Sequence, residues 1–277
     1  MAVFLTLDNE NLAKTYEEIS GFQFDVGRLL VEDLEIKPGD AVLDIGCGTG
    51  RLGRHVAQLI GPAGLYIGID PLADRVKIAK EKNRRSHAVH RVGSAGDLSF
   101  VADDSIDAAV LNEVFHWIVD KETALREIRR VLRPGGKLGL TTGAKDLNST
   151  SGVEVIVDAV LRRPPYREAV RPDDIAPRKH GVTKIELEQL LVRSGFALLS
   201  SQVRTAIWPY HTTEEVFRFA EASSFGNVLT HVPSSLRQQA LADIDCELRR
   251  HEVDGRFDFP RHNVFTVAQK QRHESQD

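Results

Sequence analysis

From Ala41 to Thr142 short apolar runs alternate with stretches of helical period. The runs Ala41–Ile45, Leu65–Ile69, Ala88–Val92, Ala108–Leu111 and Lys137–Thr141 predict five strands. Between the first two, Leu52, Val56, Leu59 and Ile60 recur at helical spacing until Gly61-Pro62 stops the helix. Between the fourth and fifth, Ala124, Leu125, Ile128, Val131 and Leu132 form an apolar face. Arg133-Pro134-Gly135-Gly136 then predicts a tight turn into the next strand. Strands alternating with helices imply an α/β fold, a doubly wound and mostly parallel sheet with helices on both faces. Strands buried on both faces read as nearly continuous apolar runs, as these do.

After Thr142 the rhythm breaks. Thr183-Lys184-Ile185-Glu186 is a capping box that opens a helix with Ile185, Leu187, Leu190 and Leu191 apolar. Gly195 ends that helix, Phe196–Ser200 predicts a sixth strand and Val264–Ala268 a seventh. Two stretches are left over. One, about 144–182, is polar and Pro-rich; the other, about 205–262, carries helices starting near Thr212 and Ser234. The expected organisation is one domain over 1–277. Its core spans about 26–143, 183–204 and 263–270, interrupted by those two insertions and preceded by an N-terminal segment, 1–25.

Composition narrows the partners. The 277 residues are 42% hydrophobic, enough for a large core. The net charge is -4 and the pI about 6.2, without the basic excess that gives nucleic-acid binders their non-specific affinity, so no nucleic acid is expected. Cys47 and Cys246, the only cysteines, make neither a disulfide framework nor a metal pair, and no metal is expected. MAVFLTLDNENLAK lacks the basic region and long apolar run of a signal peptide, and no stretch approaches the ~20 apolar residues that span a bilayer. A cytoplasmic protein without a membrane partner is expected; the oligomeric state stays open.

The stretch Val42–Gly53, VLDIGCGTGRLG, reads as a strand, a glycine turn and a helix start, the local form of a nucleotide site. Gly48-Thr49-Gly50-Arg51-Leu52-Gly53 matches G-x-G-x-x-G, the dinucleotide pattern. Two details oppose a dinucleotide. The strand reaches its first glycine at Gly46, and counted from there the third glycine of the pattern is Arg51. Asp44 also lies two residues before Gly46; a carboxylate in a buried strand is costly unless something pairs with it, and it repels a pyrophosphate docked on the helix N-terminus. A ligand that brings a cation removes both problems.

These residues resemble motif I of the class I S-adenosylmethionine-dependent methyltransferases, acidic-x-G-x-G-x-G, with Asp44, Gly46, Gly48 and Gly50 in place and Cys47 within the turn. The resemblance implies a Rossmann-like sheet of seven strands, the last antiparallel, and S-adenosyl-L-methionine as cofactor, its ammonium held by the Gly46 backbone with help from Asp44. Further motifs follow in the family's order. Ile67-Gly68-Ile69-Asp70 ends the second strand with an acid suited to the ribose hydroxyls, followed by Pro71. Gly93-Ser94-Ala95-Gly96-Asp97 resembles the adenine turn, with Ser94 where the family usually has an acid. Ile106 to Asn112 matches the fourth strand, which ends beside the methyl group, and Val131 to Leu138 matches the turn into the fifth. From Ala144 onward the likeness is looser and resembles small-molecule methyltransferases with a helical cap.

Ligands of a doubly wound sheet bind outside the carboxyl ends of its strands. The two insertions are therefore expected to form a lid over a small-molecule acceptor, and the resemblance implies that the N-terminal segment closes the pocket from a third side. His116 and Trp117 follow the fourth strand and are the expected catalytic residues. The first has the pKa range of a base, and the second carries an indole N–H and an apolar wall. An oxygen or sulfur nucleophile is slightly preferred, because nothing resembles an N-methylation tetrapeptide. Two rival readings stay open at this point: a nicotinamide or flavin oxidoreductase, from the shifted glycine pattern, and a non-catalytic S-adenosylmethionine-binding protein.

Overall fold

The computed structural model describes residues 5–147, 152–170 and 180–271. In chain order the helices and strands are α1 (Glu10–Ile19), α2 (Gly21–Leu34), β1 (Ala41–Ile45), α3 (Arg51–Ile60), β2 (Leu65–Asp70), α4 (Ala73–Lys82), β3 (Ala88–Val92) and β4 (Ile106–Asn112). These are followed by α5 (Lys121–Val131), β5 (Leu132–Gly143), α6 (Val153–Leu161), α7 (Tyr166–Ala169), α8 (Lys184–Arg193), β6 (Phe196–Tyr210), α9 (Thr213–Ser223), α10 (Ser234–Arg249) and β7 (Phe257–Lys270). A 3-10 turn at Phe115–Trp117 follows β4. The chain forms two compact units. One draws on the spans 21–144, 180–204 and 263–277, the other on 1–20, 145–179 and 205–262.

The first unit holds a seven-stranded sheet of order β3-β2-β1-β4-β5-β7-β6. Strands β1 to β5 pair in parallel, and β7 runs antiparallel to β5. The expected doubly wound sheet with an antiparallel last strand is the one observed. Alternation along β1 divides its residues between the two faces. Leu43 and Ile45 enter a core shared with Leu125 and Ile128 of α5 and Leu187 and Leu191 of α8. Val42 and Asp44 therefore face the opposite side, where α3 lies. That helix buries Leu52, Val56, Ala57 and Ile60; Leu59, expected in the apolar stripe, is exposed, and Ala57 takes its place on the buried face. Helix α2 starts at Gly21, ahead of the expected core boundary near 26, and buries Phe22, Val26, Leu30 and Leu34.

Strands β5, β6 and β7 run far longer than their apolar runs predict. Arg133 to Gly136 lies inside β5, where pairing with β4 slips from Ile106↔Leu132 to Ala108↔Lys137. The predicted turn is a bulge in the ladder, with Gly135 at φ +83°. Strands β6 and β7 extend well past Ser200 and before Val264, through Trp208, Tyr210, Phe257 and Phe259, which the expected organisation places in the second insertion. The capping box at Thr183 forms, with the Glu186 carboxylate accepting from Thr183 N and Thr183 Oγ1 accepting from Glu186 N.

The second unit is built on α6, α9 and α10, whose Val157, Val160, Val216, Phe219, Ala240 and Ile244 pack with Phe257 into a separate apolar cluster. Thr212 caps α9, as expected, and α10 starts at Ser234. Parts of the N-terminal segment and of the first insertion, 1–4, 148–151 and 171–179, lie outside the described residues.

Candidate active site

The predicted cofactor residues converge at the carboxyl ends of β1 to β4. After β1 the chain turns through Gly46 at φ +76°, Gly48 at +53° and Gly50 at +79°, and α3 begins at Arg51. Only glycine takes these left-handed angles without strain. At Gly46 space is short as well, because a Cβ there would lie 2.2 Å from Val114 Cγ2. The loop is tied to β2: Gly46 N and Cys47 N both donate to the Ile69 carbonyl, at 2.7 and 2.9 Å.

Asp70, at the end of β2, accepts from Gly48 N through Oδ2 and from Leu72 N through Oδ1, each at 2.9 Å. Its backbone carbonyl takes Gly93 N at 3.1 Å, which sets the Ser94-Ala95-Gly96 turn beside it. In that turn Asp97 N donates to the Ser94 carbonyl at 3.2 Å, Ala95 is buried, and Ser94 and Gly96 are exposed. Pro71 is exposed beside Asp70. Asp97 stands in the same turn, and hydrogen bonds from Ser99 hold its carboxyl below the usual range.

Asp44 lies under the loop and is 1% exposed. The partner that a buried carboxylate requires comes from the chain itself: Tyr66 Oη donates to Asp44 Oδ2 at 2.7 Å. Sequence reasoning missed Tyr66. The parallel register pairs Val42 with Tyr66 and Asp44 with Gly68, so the phenol reaches two residues along β2 to the carboxylate. Burial pushes the Asp44 carboxyl up to about 7, against the hydrogen bond from Tyr66 and with the charge of Asp70. Burial likewise pushes the Cys47 thiol up, which fits Cys47 as a small apolar filler of the turn rather than a nucleophile.

Asn112 ends β4. Its Nδ2 donates to the Gln23 carbonyl at 2.7 Å and its Oδ1 accepts from Thr141 Oγ1 at 2.9 Å, so the side chain joins β4 to α2 and β5. Beyond it Glu113 takes φ +58° and Val114 covers Gly46. His116 is 8% exposed, its Nδ1 lies 3.0 Å from Thr142 Oγ1, and its ring packs on Trp117 with centroids 4.9 Å apart. The structure thus brings the glycine loop, Asp70 and the Ser94 turn together, with Val114 linking the loop to the His116 turn. Thr141 and Thr142, which fix Asn112 and His116, carried no sequence signal because their partners lie 29 and 26 residues away.

The donor set suits some cofactors and not others. Two buried carboxylates border a loop at a helix N-terminus, where a pyrophosphate would meet like charge. A nucleoside that carries an ammonium and no phosphate fits these residues.

The sheet order is that of an α/β fold of the methyltransferase type. Residues 43–140 match the methyltransferase domain family. Among the relatives found, the 2-phytyl-1,4-naphtoquinone methyltransferase of Synechococcus elongatus is 35% identical over 117 residues, 41% of this chain and 50% of that protein. The demethylmenaquinone methyltransferase of Staphylococcus aureus is 32% identical over 133 residues, 46% of this chain and 55% of that one. The crystal structure of YcgJ from Bacillus subtilis superposes with a TM-score of 0.59 at 19% identity, covering 90% of this chain and 99% of that one. Residues 43–140 form a methyltransferase domain, and the sheet has the fold of the class I S-adenosylmethionine-dependent methyltransferases. It spans about half the length of the curated relatives it matches. Among the described residues no helix is long and apolar enough to cross a membrane, and no cluster of His, Cys, Asp and Glu is arranged to hold a metal.

Proposed function

We propose that this chain transfers a methyl group from S-adenosyl-L-methionine to a small-molecule acceptor through an oxygen or sulfur nucleophile. The observation that carries the reading is the pair of buried carboxylates, Asp44 and Asp70, on either side of the Gly46–Gly50 turn. Asp44 and the Gly46 backbone would hold the methionine ammonium, Asp70 the ribose hydroxyls, and Ser94, Ala95 and Gly96 the adenine, with Asn112 closing the site from β4. The cofactor supplies an electrophilic methyl on a sulfonium. The protein's part is to align an acceptor with it and to keep water out, since in-line displacement needs the nucleophile about 3 Å from the carbon. The names of the two bacterial relatives specify a 2-phytyl-1,4-naphthoquinone and demethylmenaquinone, so ring-hydroxylated aromatics and quinones form the first panel to test.

The test is calorimetric. The protein is expected to bind S-adenosylhomocysteine one to one and to give no heat with NADH. The reverse result would install the oxidoreductase reading instead. Transfer itself is read by mass spectrometry after incubation with isotopically labelled S-adenosylmethionine and the acceptor panel; tight binding with no labelled product would make the chain a non-catalytic binder.

His116 and Trp117 are proposed as the acceptor-side residues. For a hydroxyl or thiol acceptor the imidazole, oriented through Thr142, takes the proton, and Trp117 provides the wall beside it. His116→Gln is expected to lower kcat about a hundredfold while the affinity for S-adenosylhomocysteine stays the same. An unchanged kcat would return His116 to the packing role that its burial and its bond to Thr142 already give it.

A further inference from the structure

The glycine pattern left one residue unexplained. Gly53 completes G-x-G-x-x-G, yet it lies inside α3 and outside the cofactor turn. Its requirement is space: a Cβ at Gly53 would lie 2.1 Å from Tyr66 Oη and 2.4 Å from Tyr66 Cζ. Gly68, one strand position below Asp70's neighbour Ile69, meets the same group, with its Cβ position 2.7 Å from Tyr66 Oη. Two glycines on two elements thus clear a channel for a single phenol, which is fully buried and ends on Asp44.

We propose that Tyr66 is a positioning residue for cofactor binding, admitted by Gly53 and Gly68, which holds Asp44 aimed at the glycine turn for a cationic ligand. This rests on the reading of the site as an S-adenosylmethionine pocket. The phenol acts through Asp44 and stays a donor, because burial and the charge of Asp44 push its own pKa far up. One carboxylate oxygen is thereby occupied and the side chain cannot swing in its strand. A hydrogen bond to the charged form also favours that form against burial. The titratable groups around Asp44 are few. Tyr66 and Asp70 come from β2 and Cys47 from the turn. From β3, His90 packs on the Tyr66 ring with centroids 5.3 Å apart, and burial holds it down at about 4, so it carries no charge near neutrality. Val110 of β4 is registered beside Asp44 and is apolar.

The experiment measures affinity from pH 6 to 8.5 with two probes on the full chain. S-adenosylhomocysteine carries the ammonium; methylthioadenosine keeps the nucleoside and lacks the amino-acid end. Tyr66→Phe is expected to weaken S-adenosylhomocysteine about five- to tenfold at pH 7, to move the rise of affinity with pH upward by about one unit, and to leave methylthioadenosine binding unchanged. In Asp44→Asn the rise that belongs to Asp44 disappears, and adding Tyr66→Phe to it changes nothing further. If wild type binds neither probe, the site reading itself fails. If wild type binds and Tyr66→Phe follows the same pH curve, the role of Tyr66 is overturned. A further loss in the double variant, or an equal loss for methylthioadenosine, marks the phenol as mere packing and overturns it too.

Discussion

Asp44→Asn is expected to stabilise the ligand-free protein and to cripple cofactor binding in the same molecule. The Asp44 carboxyl titrates near its ordinary 3.8 when the chain is unfolded and near 7 when folded. A carboxyl with a raised folded pKa favours the native state while protonated, and that advantage is lost as pH climbs from the lower value through the upper one. Above both values the gap corresponds to about 4 kcal/mol of stability forgone. Asparagine has no charge to desolvate and keeps an oxygen to accept from Tyr66, at the expense of burying an amide. A net gain of about 1–3 kcal/mol is therefore expected at pH 8, shrinking toward zero at pH 4, as urea midpoints taken across that range would show. Removal of the acid altogether, as in Asp44→Ala, also strands the buried phenol, so that variant gains less. With S-adenosylhomocysteine the order inverts: losing a charge-assisted bond to the ammonium weakens binding about tenfold to a hundredfold. An asparagine variant that binds as well as wild type would remove the ammonium from Asp44.

Gly53→Ala is expected to reverse a familiar sign. In an exposed helix interior, glycine to alanine gains about 1 kcal/mol. Here the new methyl would overlap the oxygen and ring carbon of a phenol that is boxed in on all sides. Because the ring is rigid, relief has to come from displacing α3 or breaking the bond to Asp44, and the variant is expected to lose about 3 kcal/mol. The proof is a double-mutant cycle. Tyr66→Val vacates the channel, and the Gly53→Ala penalty should shrink by about 2 kcal/mol or more on that background. An equal penalty on both backgrounds would show that Gly53 answers to something other than Tyr66.

The centre of the sheet was legible from sequence because parallel central strands are apolar on both faces, and β1 has the bounds its apolar run predicted. The glycine turn after β1 was legible for a related reason: glycines at this spacing after an apolar strand mark a left-handed bend, which Gly46, Gly48 and Gly50 form. What stayed hidden is non-local. Tyr66 reads as an ordinary aromatic strand residue, and only the β1–β2 register reveals that it ends on Asp44. Gly53 looked like part of a phosphate fingerprint, because sequence spacing cannot tell a glycine that bends the backbone from one that makes room for a ring. The bonds from Thr141 to Asn112 and from Thr142 to His116 depend on the β4–β5 pairing.

The position of β7 has a consequence for how this protein is made. The last strand in sequence lies inside the sheet, between β5 and β6. Strand β6 therefore has no neighbour to dock on until Phe257–Lys270 has been synthesised. Five strands can assemble on the ribosome, while the sixth must wait, exposed, for nearly sixty further residues to arrive. Ribosome-bound chains halted before Phe257 should show protease-sensitive β6 segments beside already protected strands β1 to β5.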